Sequence, residues 1–83
     1  MIRSRTREVT LYVEYTRGTV LDEVIRCLRE AGARITDMEM TRSQEQEHHD
    51  CAIFSLQLNR KVAYDEMIFQ LTKLENVVTA QEL

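Results

Sequence analysis

Residues 45–51 of this 83-residue chain, "EQEHHDC", hold its one cluster of potential metal ligands: Glu45, Glu47, His48, His49, Asp50 and Cys51. Two adjacent imidazoles suit zinc or nickel, whereas magnesium prefers several oxygens in a rigid octahedron. No second His or Cys pair stands at ligand spacing to complete a tetrahedral site. The segment also lacks any apolar residue before Cys51, so it reads as a solvated hairpin loop, and no metal is expected there.

A second candidate is the loop Thr16, Arg17, Gly18 and Thr19, between an alternating segment and a helical one. Backbone N–H groups at a helix start can accept a carboxylate or phosphate, and Arg17 can assist. Thr19, however, can satisfy one of those donors as an N-cap, and a single glycine does not make a phosphate loop. An anion-binding loop and a capped turn both fit these four residues. The carboxylates Asp22, Glu23, Asp65 and Glu66 fall in first turns of helices, where the helix dipole accounts for them. No serine, histidine and aspartate set occurs in motif context, and no glycine-rich nucleotide loop, so neither an enzyme nor a cofactor is expected.

The elements that position these residues follow from periodicity. From Val9, "VTLYVEYT" alternates Val9, Leu11, Val13 and Tyr15 against Thr10, Tyr12, Glu14 and Thr16, a strand with one buried face. Thr19 with Asp22 three residues on predicts a helix start. Leu21, Val24, Ile25, Leu28 and Ala31 form its apolar stripe, and Gly32 stops it in a left-handed cap. In "ARITDMEMTR" the apolar phase slips once between Ile35 and Met38, which predicts a strand with a bulge. After the hairpin, "CAIFSLQLN" alternates Ala52, Phe54, Leu56 and Leu58 with Ile53, Ser55 and Gln57. "VAYDEMIFQLTKLEN" aligns Tyr64, Met67, Ile68, Leu71 and Leu74 on a helical face, and "VVTAQEL" closes as a short strand.

Strand, helix, strand, strand, helix, strand within 83 residues predicts an α+β fold: a ferredoxin-like βαββαβ sandwich, a four-stranded antiparallel sheet with two helices on one face. Right-handed crossovers put the first and third strands in the middle and the second and fourth at the edges. Residues 1–7 are expected to be a flexible segment and residues 8–83 one domain. Composition agrees, with 43% hydrophobic and 30% charged residues, a formal net charge of −3, and no apolar run near the ~18 residues that cross a bilayer. Nucleic acid is not expected as a partner, because phosphate binding needs clustered Lys and Arg. Cys27 and Cys51 lie in different elements without a CxxC, as structural thiols in a reducing compartment do.

The spacing of Tyr15, Thr16, Arg17 and Gly18, then Leu21, Val24, Leu28, Gly32 and Ile35, resembles the ACT family of small regulatory domains. Members carry an Asp-x-Pro-Gly type loop after the first strand; Thr16 and Arg17 stand here where an acidic residue and proline often do. "REVTLYVEY", "GARITDMEM" and "LENVVTAQEL" are more closely similar to the cytoplasmic C-terminal domain of MgtC/SapB-type membrane proteins. That resemblance implies a non-enzymatic regulatory or interaction domain, on the cytoplasmic side of a membrane protein linked to magnesium homeostasis, with the membrane portion of its own chain as a partner and no membrane insertion of its own. Arg3, Arg5 and Arg7 suit a cytoplasmic segment following a membrane helix, and equally a solvated terminus. The alternative reading is a sensor of an amino acid or anion at Thr16–Thr19. A homodimer is expected through the second strand as an exposed edge, with Ile35, Asp37, Met38, Glu39 and Met40 as its candidates. Tyr12 and Ile53, on the sheet face opposite the helices, mark a further contact patch.

Overall fold

The computed structural model describes residues 6–17, 21–42 and 48–83. The chain runs β1 (Thr6–Thr16), α1 (Asp22–Glu30), β2 (Arg34–Arg42), β3 (His49–Asn59), α2 (Tyr64–Thr72) and β4 (Val77–Glu82). The four strands form one sheet in the order β2-β3-β1-β4, and every neighbouring pair is antiparallel. The predicted sandwich, with β1 and β3 central and β2 and β4 at the edges, is the observed one.

Strand alternation builds the core. Val9, Leu11, Val13 and Tyr15 of β1 and Ala52, Phe54, Leu56 and Leu58 of β3 are all buried. Leu11 faces Phe54 across the central pair, and Val9 faces Leu56. The helices close this face with Val24 and Leu28 of α1 and Met67 and Leu71 of α2, so apolar burial accumulates on one side of the sheet. The other side carries Tyr12, Glu14, Ile53, Ser55 and Gln57, which are half-buried.

The end of α1 is fixed by hydrogen bonding. Gly32 has φ of 94°, its N–H donates to the Arg29 carbonyl (2.9 Å), and the Ala33 N–H donates to the Leu28 carbonyl (3.0 Å). These two bonds are a Schellman motif with glycine in the left-handed position, as the sequence predicts. The phase slip in β2 is also present: its pairing with β3 shifts between Ile35 and Asp37. Beyond it Met38 faces Phe54 and Met40 faces Ala52, so both methionines point to the helix side, while Asp37, Glu39 and Thr41 share the open side with Ser55, Ile53 and Cys51.

Four boundaries differ from expectation. The N-cap position of α1 is Leu21, whose own side chain makes no capping hydrogen bond, so the start drawn at Thr19 moves to Asp22; Gly18 and Thr19 lie outside the described residues. His49 and Asp50, expected in the loop, begin β3, because they pair with Thr16 and Tyr15 of β1. Helix α2 ends at Thr72, before Leu74, which packs on the core from a turn. Thr6 and Arg7 lie in β1 opposite Asn59 and Leu58; Arg7 is held by Glu82 (3.2 Å) and stacks over the Tyr64 ring (4.9 Å to the centroid).

Candidate functional site

The C-terminal end of β1 is where the sequence places a possible ligand loop, and the structure packs three segments around it. The Thr16 N–H donates to the Asn76 carbonyl (2.9 Å), and the Arg17 N–H donates to the His48 carbonyl (2.7 Å). Arg17 Nε donates to Asp50 Oδ1 (3.2 Å), in an ion pair whose Arg side chain is 41% exposed. At that exposure the pair contributes about 0–1 kcal/mol to stability. Its chemical effect is more direct: the cationic group that an anion would use is already faced by a carboxylate.

Beside this ion pair lies a chain of polar contacts on the open sheet face. Tyr12 donates its hydroxyl hydrogen to Glu14 Oε1 (3.0 Å), and its oxygen lies 2.9 Å from Cys51 Sγ. Glu14 Oε2 lies 2.5 Å from His49 Nδ1. An ionised carboxylate only accepts, so the imidazole carries its N–H on Nδ1, and the run is Tyr12, Glu14, His49 with the thiol on the phenol. These contacts explain why Cys51 is buried on a face that no helix covers. The Tyr12 hydroxyl is held above the ordinary phenol range by its hydrogen bond with Cys51, then by burial, then by Glu14. Burial likewise pushes up the Cys27 thiol on α1. Both cysteines are free.

The predicted residues thus separate into three places. Thr16 and Arg17 sit at the end of β1, while their expected partners Gly18 and Thr19 lie outside the described residues, as do Glu45 and Glu47 of the metal-ligand cluster. His48, His49 and Asp50 do not converge. His48 is exposed in a turn, His49 turns to Glu14, and Asp50 turns to Arg17. Among the described residues no group of three or more His, Cys, Asp and Glu side chains is arranged to hold a metal ion. Ile35, Asp37, Met38, Glu39 and Met40 lie along the β2 edge, where Met38 is 39% and Met40 58% exposed. A shallow depression of about 230 Å³ joins the regions, lined by Tyr15, Met40, Thr41, Arg42 and Asp50. Sequence reasoning missed Glu14 and Asp50 as partners. The signal was the opposite charge of Arg17 and Asp50, which becomes informative only when β1 and β3 are in register.

The arrangement is a ferredoxin-like α+β sandwich with both helices on one face. By sequence, no family model matches the chain and no curated protein matches it. By structure, 23 solved chains match. One is the crystal structure of the ACT domain from the GTP pyrophosphokinase of Chlorobium tepidum, with a TM-score of 0.74 and 8% identity over 95% of this chain and 100% of that one. At that identity the likeness defines the fold: an ACT-like sandwich. Among the described residues no helix is long and apolar enough to cross a membrane.

Proposed function

We propose that the chain is a non-enzymatic regulatory and interaction domain, the cytoplasmic ACT-like part of an MgtC/SapB-type membrane protein linked to magnesium homeostasis. It acts by self-association and by contact with the membrane portion of its own chain. The ACT-like fold supports the regulatory reading, and the likeness of "REVTLYVEY", "GARITDMEM" and "LENVVTAQEL" to that family supports the membrane context. The observation that carries interaction over ligand sensing is the Arg17–Asp50 ion pair at 3.2 Å. An anionic ligand competes with Asp50 for Arg17, whose Nε–H is already engaged, and attraction between such exposed charges is further weakened by salt.

The second reading is a sensor of an amino acid or anion at the β1–α1 loop. It is favoured by one feature, the N-terminus of α1, where no side chain among the described residues makes a capping hydrogen bond and where first-turn N–H groups suit an anionic acceptor. Titrating the 15N-labelled chain with a mixture of amino acids to about millimolar concentration, where binding of ~4 kcal/mol registers, divides the two. Unchanged amide shifts at Arg17 and Asp50 fit the interaction domain. Saturable movement of both makes the chain a sensor. For the membrane context, expressing the chain with its upstream coding region and locating it by fractionation is decisive: recovery wholly in the supernatant removes that part of the reading.

A further inference from the structure

The sheet face that no helix covers carries charge of almost one sign. Tyr12 of β1 faces Ile53 of β3, and Ile53 faces Glu39 of β2, so the three stand in one row across the sheet. In the flanking rows Glu14 faces Cys51, Asp37 faces Ser55 and Glu8 faces Gln57, which puts Glu8, Glu14, Asp37 and Glu39 on this face together. The cations are placed elsewhere. Arg7 and Arg42 stand opposite Leu58 and Asp50 and alternate to the helix side, while Arg26 and Arg29 belong to α1. Arg34, opposite Gln57, is the one strand cation on the open face among the described residues, and it sits at the margin of the sheet.

These carboxylates differ in how they are engaged. Glu14 is held by Tyr12 and His49, and Glu8 accepts from Gln57 Nε2 at 3.5 Å. Asp37 and Glu39 are exposed, and among the described residues neither joins an ion pair. They border the half-buried pair Tyr12 and Ile53, an apolar centre that the helices leave uncovered. Sign then selects the occupant. Nucleic acid and an anionic lipid surface are repelled, and a second copy stacked through the same face sets carboxylates against carboxylates.

We infer that this face docks a Lys/Arg-rich amphipathic helix, with its apolar side chains on Tyr12 and Ile53 and its cations on Asp37 and Glu39. Asp37 and Glu39 lie two residues apart along β2, about 6.5–7 Å, close to the ~5–6 Å between side chains four apart on a helix. Tyr12 is two strands from Glu39, about 10 Å, which is the width of a helix lying along β3. This deepens the proposed contact with the membrane portion of the chain and rests on it for the source of the helix, because the cytoplasmic ends of membrane helices are enriched in Lys and Arg.

The probe is a synthetic helix of lysine and leucine, with leucine at i, i+3, i+4 and i+7, titrated into the 15N-labelled chain at low ionic strength. Saturable movement of the Tyr12, Ile53, Asp37 and Glu39 amides is expected, with those of Asp22, Asp65 and Glu75 in the helix layer unmoved. Affinity is read from the anisotropy of labelled peptide at micromolar protein, far below the millimolar range in which two copies pair. Glu39→Lys is expected to weaken it about five- to tenfold, since one exposed attraction becomes a repulsion, and Glu75→Lys by less than about twofold. A peptide with serine in place of leucine should bind about tenfold more weakly, because it leaves Tyr12 and Ile53 uncovered. Circular dichroism confirms that both variants fold, as these exposed positions permit. Equal weakening by both substitutions, or equal binding of the serine peptide, reduces the attraction to net charge and overturns the inference, as does absence of binding. Fractionation keeps the two readings apart: an upstream-extended chain found in the membrane with no peptide binding removes this face alone, and one found in the supernatant with binding intact removes the membrane source alone.

Discussion

Gly32 is the hinge between the helix layer and the edge strand, so replacing it tests how the sequence delivers β2 to its place. Its φ of 94° is in the left-handed region, where an L side chain costs about 1–2 kcal/mol from contact between Cβ and the backbone. Space alone is not the obstacle: a Cβ on Gly32 would meet Val62 Cγ2 at 3.4 Å, an ordinary contact. Against the strain, alanine removes roughly 0.4–1 kcal/mol of unfolded-chain entropy. The net expectation for Gly32→Ala is a loss of ~1 kcal/mol, since φ lies beyond the left-handed minimum and the bonds to Arg29 and Leu28 resist relaxation. In a domain of this size that lowers Tm by roughly 4–8 °C, measured by circular dichroism at 222 nm. Gly32→Asn should lose less, because asparagine tolerates this region. A Gly32→Ala chain melting at or above the parent temperature would refute the Schellman cap and with it the placement of β2.

The two histidines should behave differently: His49→Ala is expected to destabilise by about 1 kcal/mol through loss of the bond to Glu14, and His48→Ala by almost nothing, both read by urea unfolding. Equal effects would contradict the separation of the pair. Alkaline titration at 295 nm should show every tyrosine ionising above the ordinary phenol range, with Tyr64 pushed up to about 12 by burial first and Glu82 second, and Tyr12 above the ordinary range. A phenol raised on folding binds its proton more tightly in the native state, so this contribution is full below pH ~10 and is lost as pH rises from ~10 through the folded values. Stability that increases over that window would reverse the sign of the argument. Cys51→Ala should move the Tyr12 titration downward, as its largest cause is removed.

Much of the fold was legible because burial is one-sided. The period of two in β1 and β3 marks the face that the helices cover, and the slip at Ile35–Met38 marks the irregularity in β2. Gly32 was legible because no other residue suits a positive φ so well after an apolar stripe. The polar start of β3 was not. His49 and Asp50 carry no apolar alternation, and they join the strand because Glu14 and Arg17 supply partners from 33 or more positions away. The start of α1 was misplaced for a related reason: Thr19 and Asp22 have the spacing of a capping pair, but the observed helix begins after Leu21, whose side chain makes no capping bond. The candidate loop could be located from one sequence, whereas the ion pair that occupies Arg17 depends on strand register.

The central claim is that this ACT-like chain works by associating with copies of itself, and sedimentation equilibrium of the unmodified chain tests it most directly. Across a rising concentration series the account predicts a reversible shift from monomer to dimer, complete or partial by about millimolar protein, where an association of ~4 kcal/mol is half-populated. Glu39→Lys, exposed on the open side of β2, should alter the dissociation constant without moving Tm by more than surface substitutions do. A single monomeric mass throughout the series would contradict the account.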